Sequence, residues 1–343
     1  MKYLSKISYQ NILLLIGSVT FTFILAELAL RSLLPAPIIW KFPQEFYVHD
    51  PEIGFWLEAN QEAFTHDKVV TTNSIGIRDS EYLHPPPTNT YRILALGDSQ
   101  TFGNGLDLAD TWPKQLETVL NREAKKYLRF EVLNAGIPGS ATWQHEIILQ
   151  RMIHNYHPDM VILGFYVNDV SKRVPVEFKK DNTNTLKLRI GYTLKQSALL
   201  LTFRSALASL RQKVSPDSYY LWQIALLNGK PDQKIEDGWK QVEKSLSAMK
   251  KTSEENNIAF LVASLPRRDQ VSGNQPGEAY NIRLESIARQ NGISMKSMLE
   301  ALEASFKIYG KDLFIPWDGH NSRIGNSIIA QEIANFTRTS ISK

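Results

Sequence analysis

From Tyr91 onward the sequence alternates short, unbroken apolar runs with longer amphipathic segments, and few architectures accept that rhythm. "YRILALGD", "FEVLNAG", "DMVILGFY" and "IAFLVASLP" each read as a strand. Between them "DTWPKQLETVLNREAKKY", "TWQHEIILQRMIHNY" and "EDGWKQVEKSLSAMKKTSEEN" carry apolar residues at helical spacing. The first of these is capped near Asp110 and the second stops before His157-Pro158. A helix around Tyr280 to Gln290 and a last one after Asn321 complete the series. A strand apolar at consecutive positions is buried on both faces, so the pattern implies a parallel α/β sheet covered by helices on both sides. Residues 171–235 interrupt the rhythm as an insertion. Its helix candidate "SALLLTFRSALASLRQKV" reads best as a packing element, with a lid or a membrane-facing helix as alternatives.

The N-terminus is of another kind. "NILLLIGSVTFTFILAELALRSLLP" holds no charge from Ile12 to Ala26 and stays apolar around Glu27 and Arg31 as far as Leu34. As a helix, residues 12–34 would be about 34 Å long, enough to cross the ~30 Å core of a bilayer. Glu27 and Arg31 are four apart and can pair on one face. No small-x-small site follows the run, so a retained transmembrane anchor is expected rather than a cleaved signal peptide. Lys2 and Lys6 precede it, which puts the short tail, residues 1–11, in the cytoplasm and the rest of the chain on the other side. Residues 35–90 form an approach segment of short strands and a stiff linker, "HPPPTNT", before the domain at 91–340. A net charge of +4 without any basic block speaks against a nucleic-acid partner. The absence of cysteine excludes disulfides, thiolate metal sites and a cysteine nucleophile. No cofactor or metal is expected.

Ligands of a parallel sheet bind outside the carboxyl ends of its strands. Three of the expected strands end there on suggestive residues: Asp98-Ser99, Asn134-Ala135-Gly136 and Asn168-Asp169. "PWDGHNSRIGN" adds Asp318 and His320 just before the last helix. An attacking serine needs a base, a group that orients the base, and N–H donors where the oxyanion forms. Ser99 supplies the hydroxyl, His320 the base and Asp318 the orienting acid. The backbone N–H groups of Ser99 and Gly136 and the Asn168 side chain supply an oxyanion hole. Each residue also has a plainer reading. Ser99 alone would serve as a helix N-cap, Gly136 and Asn168 as turn residues, and Asp318 as a cap of the last helix. Asn134 reads as structural. His145, His154 and His157 read as structural or surface residues, and His49, His66 and His84 have no assigned role.

On these four blocks the sequence resembles the SGNH (GDSL-type) hydrolase superfamily over residues 91–340. The resemblance implies a flavodoxin-like three-layer sandwich with a central parallel sheet. It assigns the nucleophile to Ser99 of Gly97-Asp98-Ser99 and oxyanion donors to Gly136 of "LNAGIPG" and Asn168 of Asn168-Asp169. The catalytic acid and base fall to Asp318 and His320. The sequence reads GDSQ where the family name implies GDSL, "GFYVND" has extra residues between Gly164 and Asn168, and the last block is Asp-Gly-His rather than Asp-x-x-His. The Asp-x-His form is similar to the branch containing membrane-linked proteins of polysaccharide O-acetylation. "DPEIGF", "NSIGIRD" and the N-terminal anchor are similar to envelope members.

The resulting expectation is a single-pass protein of the bacterial cytoplasmic membrane with its catalytic domain outside the cytoplasm. It would hydrolyse an ester on an envelope carbohydrate or lipid through Ser99, His320 and Asp318. The alternatives are an O-acyltransferase with the same residues, in which a sugar hydroxyl replaces water, and a non-catalytic envelope scaffold.

Overall fold

The computed structural model describes residues 8–34, 46–66, 68–124, 128–171, 194, 197–214, 218–275, 277–316 and 318–341 of the chain. The tail at 1–7, the start of the approach segment at 35–45 and most of the first part of the insertion, 172–193, lie outside the described residues. In chain order the elements are α1 (Tyr9–Leu33), β1 (Tyr47–Asp50), β2 (Gly54–Leu57), β3 (Glu62–Thr65), β4 (Lys68–Thr71), β5 (Thr90–Gly97), α2 (Ser99–Phe102), α3 (Trp112–Glu123), β6 (Arg129–Gly136), α4 (Thr142–Tyr156) and β7 (Met160–Phe165). Then follow α5 (Ala198–Val214), α6 (Ser218–Leu227), α7 (Gln233–Glu255), β8 (Ala259–Ser264), α8 (Arg268–Val271), α9 (Glu278–Gln290), β9 (Ser294–Ser297), α10 (Leu299–Tyr309) and α11 (Arg323–Ile341).

The chain divides into two compact units. The larger, Trp40–Asp181 with Asp217–Lys343, is built on five parallel strands in the order β6-β5-β7-β8-β9. In chain order of these strands that is 2-1-3-4-5, the flavodoxin-like arrangement, with its switch point between β5 and β7. Successive residues of a strand face opposite ways. Ile93 and Ala95 therefore join one core with Trp112 and Leu116 of α3, Leu302 of α10 and Ile329 and Ile333 of α11. Leu94 and Leu96 join the other, with Ile148 and Met152 of α4, Leu246 of α7 and Leu284 of α9. Helices thus cover both faces, as a continuous apolar run requires.

Part of the approach segment also belongs to the second of these cores. Hairpins β1–β2 and β3–β4 carry Phe55, Leu57 and Val70 into it, with Ile53 and Ile77 from the turns. Arg151 of α4 fastens the first hairpin through Asp50 at 2.7 and 2.9 Å and through Glu52. Leu226 and Leu227 at the end of α6 are buried in that core as well, so the last part of the insertion packs onto the sheet.

The smaller unit, Met1–Ile39 with Asn182–Pro216, contains α1 and α5. None of the 25 residues of α1 is buried, and it is the one helix among the described residues long and apolar enough to cross a membrane. Arg31 Nε donates to Glu27 Oε1 at 2.6 Å, the i,i+4 pair expected from the spacing.

Candidate active site

Three glycines lie side by side at the carboxyl edge of the sheet. Gly97 of β5 pairs in register with Gly136 of β6 on one side and Gly164 of β7 on the other. A Cβ on Gly97 would stand 2.1 Å from Thr101 Oγ1, one on Gly164 2.5 Å from the same atom, and one on Gly136 2.2 Å from the Phe102 N. The row is a bare platform on which the single turn of α2 rests, and any side chain there would lift that turn off the sheet. Each of the apolar runs "ILALG", "VLNAG" and "VILG" ends on one of these glycines, a signal that was in the sequence but had no meaning until the register was known.

Ser99 is the first residue of α2. Asp98 caps the turn by accepting from the Gln100 N–H at 2.8 Å. Arg78, from "NSIGIRD", grips the following loop: its guanidinium donates to the carbonyls of Phe102 (2.9 Å), Gly103 (2.8 Å) and Leu106 (2.6 Å). The side chain is 1% exposed. Burial lowers its pKa to about 10, against the pull of Asp107 and Asp79, and it remains a cation at neutral pH. Sequence reasoning assigned Arg78 no role. Arg78→Met is expected to strand three carbonyls at a cost of about 3 kcal/mol or more. Thermal unfolding should then come on the order of 10 °C lower.

The residues expected at the C-terminal block meet Ser99 across 221 positions of sequence. His320 Nε2 lies 2.7 Å from Ser99 Oγ, and His320 Nδ1 lies 2.6 Å from Asp318 Oδ1. The same carboxylate oxygen accepts the His320 backbone N–H at 3.0 Å, which fixes both ends of the residue. Burial alone would lower the His320 pKa, but the hydrogen bond and charge of Asp318, with the charge of Asp98, outweigh it and the net shift is upward. Burial would raise Asp318, but the hydrogen bond and charge of His320 and the backbone N–H groups hold it below the ordinary carboxylate value. His66, at the left-handed turn of the β3–β4 hairpin (φ +52°), lies near enough to feel both charges. Its ring is buried and its Nδ1 is 2.9 Å from Thr65 Oγ1. Burial first, then His320, lower its pKa to about 4 despite Asp318, so it stands neutral beside the pair.

The donors divide differently from expectation. The Ser99 N–H has no hydrogen bond to a protein acceptor among the described residues. Asn168 follows β7 in the 3-10 turn Val167–Val170; burial pushes the Asp98 pKa up, and a hydrogen bond with the Asn168 side chain opposes that rise in part. The Gly136 N–H instead donates to Asn134 Oδ1 at 3.1 Å, and the residue is spent on close packing under α2. Three residues on, Gly139 has φ +83°, open space where a side chain would stand, and an N–H bonded to no described acceptor. Its neighbour Ser140 reaches the carbonyl of Gly97 at 3.3 Å, which keeps this turn beside the end of β5.

A second Ser-His-Asp group lies beneath. His145 Nε2 is 2.7 Å from Ser140 Oγ, and His145 Nδ1 is 3.8 Å from Asp169 Oδ1, all three residues being buried. Burial takes the His145 pKa down to about 3 and, together with the charge of Asp98, takes Asp169 well above the carboxylate range. The imidazole is therefore uncharged at neutral pH. The Ser140 hydroxyl is spent on the Ile137 carbonyl at 2.7 Å. His145 is too weak a base to activate the hydroxyl and all three residues are shut off from solvent, which fits a structural role.

Comparison with known families matches residues 95–314 to the GDSL-like lipase/acylhydrolase family, well over half of the chain. The chain belongs to that family. Membership carries ester hydrolysis with it, and the fold is the SGNH hydrolase fold. The match stops short of Asp318 and His320, which stand on geometry alone. Some solved structures are also similar to this chain. The psychrotrophic esterase EstA from Pseudoalteromonas sp. is 16% identical over 74% of this chain and 100% of its own, with a TM-score of 0.43. The lipase/acylhydrolase from Enterococcus faecalis is 13% identical over 73% and 96%, with a TM-score of 0.41. The Clostridium thermocellum family 3 carbohydrate esterase is 15% identical over 74% and 98%, with a TM-score of 0.43. No curated protein matches the sequence.

Proposed function

We propose that this GDSL-family esterase works through Ser99 as nucleophile, His320 as general base and Asp318 as the acid that orients the imidazole. The observation that carries the reading is the unbroken relay of 2.7 and 2.6 Å from the serine hydroxyl through the imidazole to the carboxylate. Neutral His320 takes the Ser99 proton as Oγ attacks the ester carbonyl. The imidazolium then returns the proton to the departing alkoxide, leaving an acyl-enzyme. Water, deprotonated by His320, releases the acid and restores the serine. The negative charge of each tetrahedral intermediate falls to the Ser99 N–H and the Asn168 side-chain amide. For the third donor we assign the Gly139 N–H in place of Gly136, because only the former is unspent.

The substrate class we propose is an acylated carbohydrate or lipid of the cell envelope, reached by a catalytic domain tethered through residues 12–34. The support is the long apolar helix α1, none of whose residues is buried among the described residues. The test is release of acetate from an acetylated oligosaccharide and of nitrophenol from p-nitrophenyl acetate by the full-length protein. Asn168→Ala removes one of three donors and is expected to lower turnover by roughly 10²–10³. No hydrolysis of either compound by folded protein, or full turnover in Asn168→Ala, would contradict the assignment.

A further inference from the structure

Glu27 is an acid inside an otherwise apolar helix, and its partners explain it. Besides Arg31, its carboxylate accepts the Ala198 N–H at 3.0 Å, the Leu199 N–H at 3.0 Å and the Ser197 hydroxyl at 2.8 Å. Ser197 Oγ in turn accepts the Leu200 N–H at 3.2 Å. The first three N–H groups of α5 are thereby all satisfied, two of them by a charge that the positive end of the helix favours. An insertion helix is capped by the N-terminal helix across about 170 residues of sequence.

The exposed face of α5 is apolar. Leu200, Phe203, Leu207 and Leu210 follow one another at i, i+3, i+7 and i+10, the stripe of an amphipathic helix. Phe203 is 65%, Leu207 55% and Leu210 60% exposed, while Ala198 on the opposite side is buried. Arg204 flanks the stripe, exposed, where a long cationic side chain can lie along apolar surface and keep its charge in water. Glu27 precedes the end of α1, Leu33, by six residues, which is about 9 Å along a helix. That equals the depth at which amphipathic helices lie in the boundary between headgroups and acyl chains, roughly 5–10 Å.

We propose that α5 is a second membrane contact. It would lie in the lipid interface with Leu200, Phe203, Leu207 and Leu210 among the acyl chains, fastened to α1 by Glu27. This rests on the reading of residues 12–34 as a membrane anchor and goes beyond it in two respects. The insertion acquires a partner, the bilayer, instead of serving as packing. And α1 is retained, because cleavage after it would strip α5 of its cap. Continuity favours lipid over a second protein copy: the stripe adjoins a helix with no buried residue and no charge from Ile12 to Ala26.

The chain has no cysteine, so single cysteines can report depth without further engineering. Full-length protein carrying Phe203→Cys, Leu207→Cys or Leu210→Cys is labelled with an environment-sensitive fluorophore. It is then reconstituted in phosphatidylethanolamine/phosphatidylglycerol vesicles that contain doxyl-labelled lipid. Phe21→Cys reports α1, Lys251→Cys reports solvent, and hydrolysis of p-nitrophenyl acetate confirms an intact catalytic domain. The expected result is quenching of about twofold or more at all three α5 positions, as for a face buried at the headgroup boundary. Phe21 should be quenched too and Lys251 unaffected. Glu27→Ala should lower the α5 quenching and leave Phe21 unchanged. Unquenched α5 labels beside a quenched Phe21 would overturn the lipid contact and leave the anchor standing, whereas an unquenched Phe21 would remove the anchor itself. Quenching on α5 that depends on protein density and not on doxyl lipid would mean docking of a second copy, and overturn the proposal. α5 quenching that survives Glu27→Ala would overturn the fastening.

Discussion

Ser99→Ala is expected to lower ester turnover by roughly 10⁵–10⁶, the scale seen when the nucleophile of an acyl-transfer relay is removed. Nothing stands in for it. The protein has no cysteine, and Ser140, the other serine with a histidine partner among the described residues, has its hydroxyl spent on a backbone carbonyl. The loss should appear in turnover without loss of fold, because the Ser99 hydroxyl contributes nothing to the platform of Gly97, Gly136 and Gly164 or to the Arg78 clamp. His320→Ala should be nearly as severe. The double substitution should be hardly worse than either single one, since serine and imidazole act as a unit. Steady-state kinetics on p-nitrophenyl acetate, with thermal unfolding as control, measures all three. Additive losses would show that the two residues do not share one step.

Asp318→Asn is expected to cost roughly 10³–10⁴ in turnover, because an amide holds the imidazole in the wrong tautomer and no longer supports the imidazolium. It carries a second signature in the pH profile. His320 must be neutral to act, so activity rises with pH through its pKa, and the rise in the wild type is centred above the ordinary histidine value of ~6.5. The causes that raise it are chiefly the hydrogen bond and charge of Asp318, acting against burial. Removing that charge leaves burial in control, and the midpoint should move to lower pH. A residue that merely capped the last helix would change stability and leave the midpoint where it was. The kcat/KM profile of the residual activity separates the two roles.

The sheet was legible because burial on both faces writes itself into the sequence: its three inner strands, β5, β7 and β8, carry the apolar runs "ILAL", "MVIL" and "AFLVA". β9 was not legible. It is an edge strand of the sequence "SMKS", half-exposed and polar, and only its pairing with β8 defines it. The helix that follows it, α10, buries only Leu302 fully, although Leu299, Leu302, Phe306 and Tyr309 stand at helical spacing in the sequence. Ser99, Asn168, Asp318 and His320 stand out in the sequence as candidates because each lies at a strand end or beside the last helix, and the fold brings Ser99, His320 and Asp318 into one hydrogen-bonded chain. Gly136 was named for the wrong property. Its place in "LNAGIPG" suggested a donor, whereas its missing side chain is what the adjacent turn uses, and Gly139 carries the unspent N–H. Arg78 and His66 were out of reach because they come from hairpins and turns that approach the site only in three dimensions. The meaning of Glu27 lay in a partner about 170 residues away.

The most direct test of the account is where a fluorophosphonate attaches. Such a probe is attacked only by an activated serine, and it is held in place of the tetrahedral intermediate. Full-length protein is treated with the probe, digested, and mapped by mass spectrometry. The account predicts one adduct, on Ser99, absent from both Ser99→Ala and His320→Ala. An adduct on Ser140 or any other serine, or none at all on protein that hydrolyses esters, would contradict it.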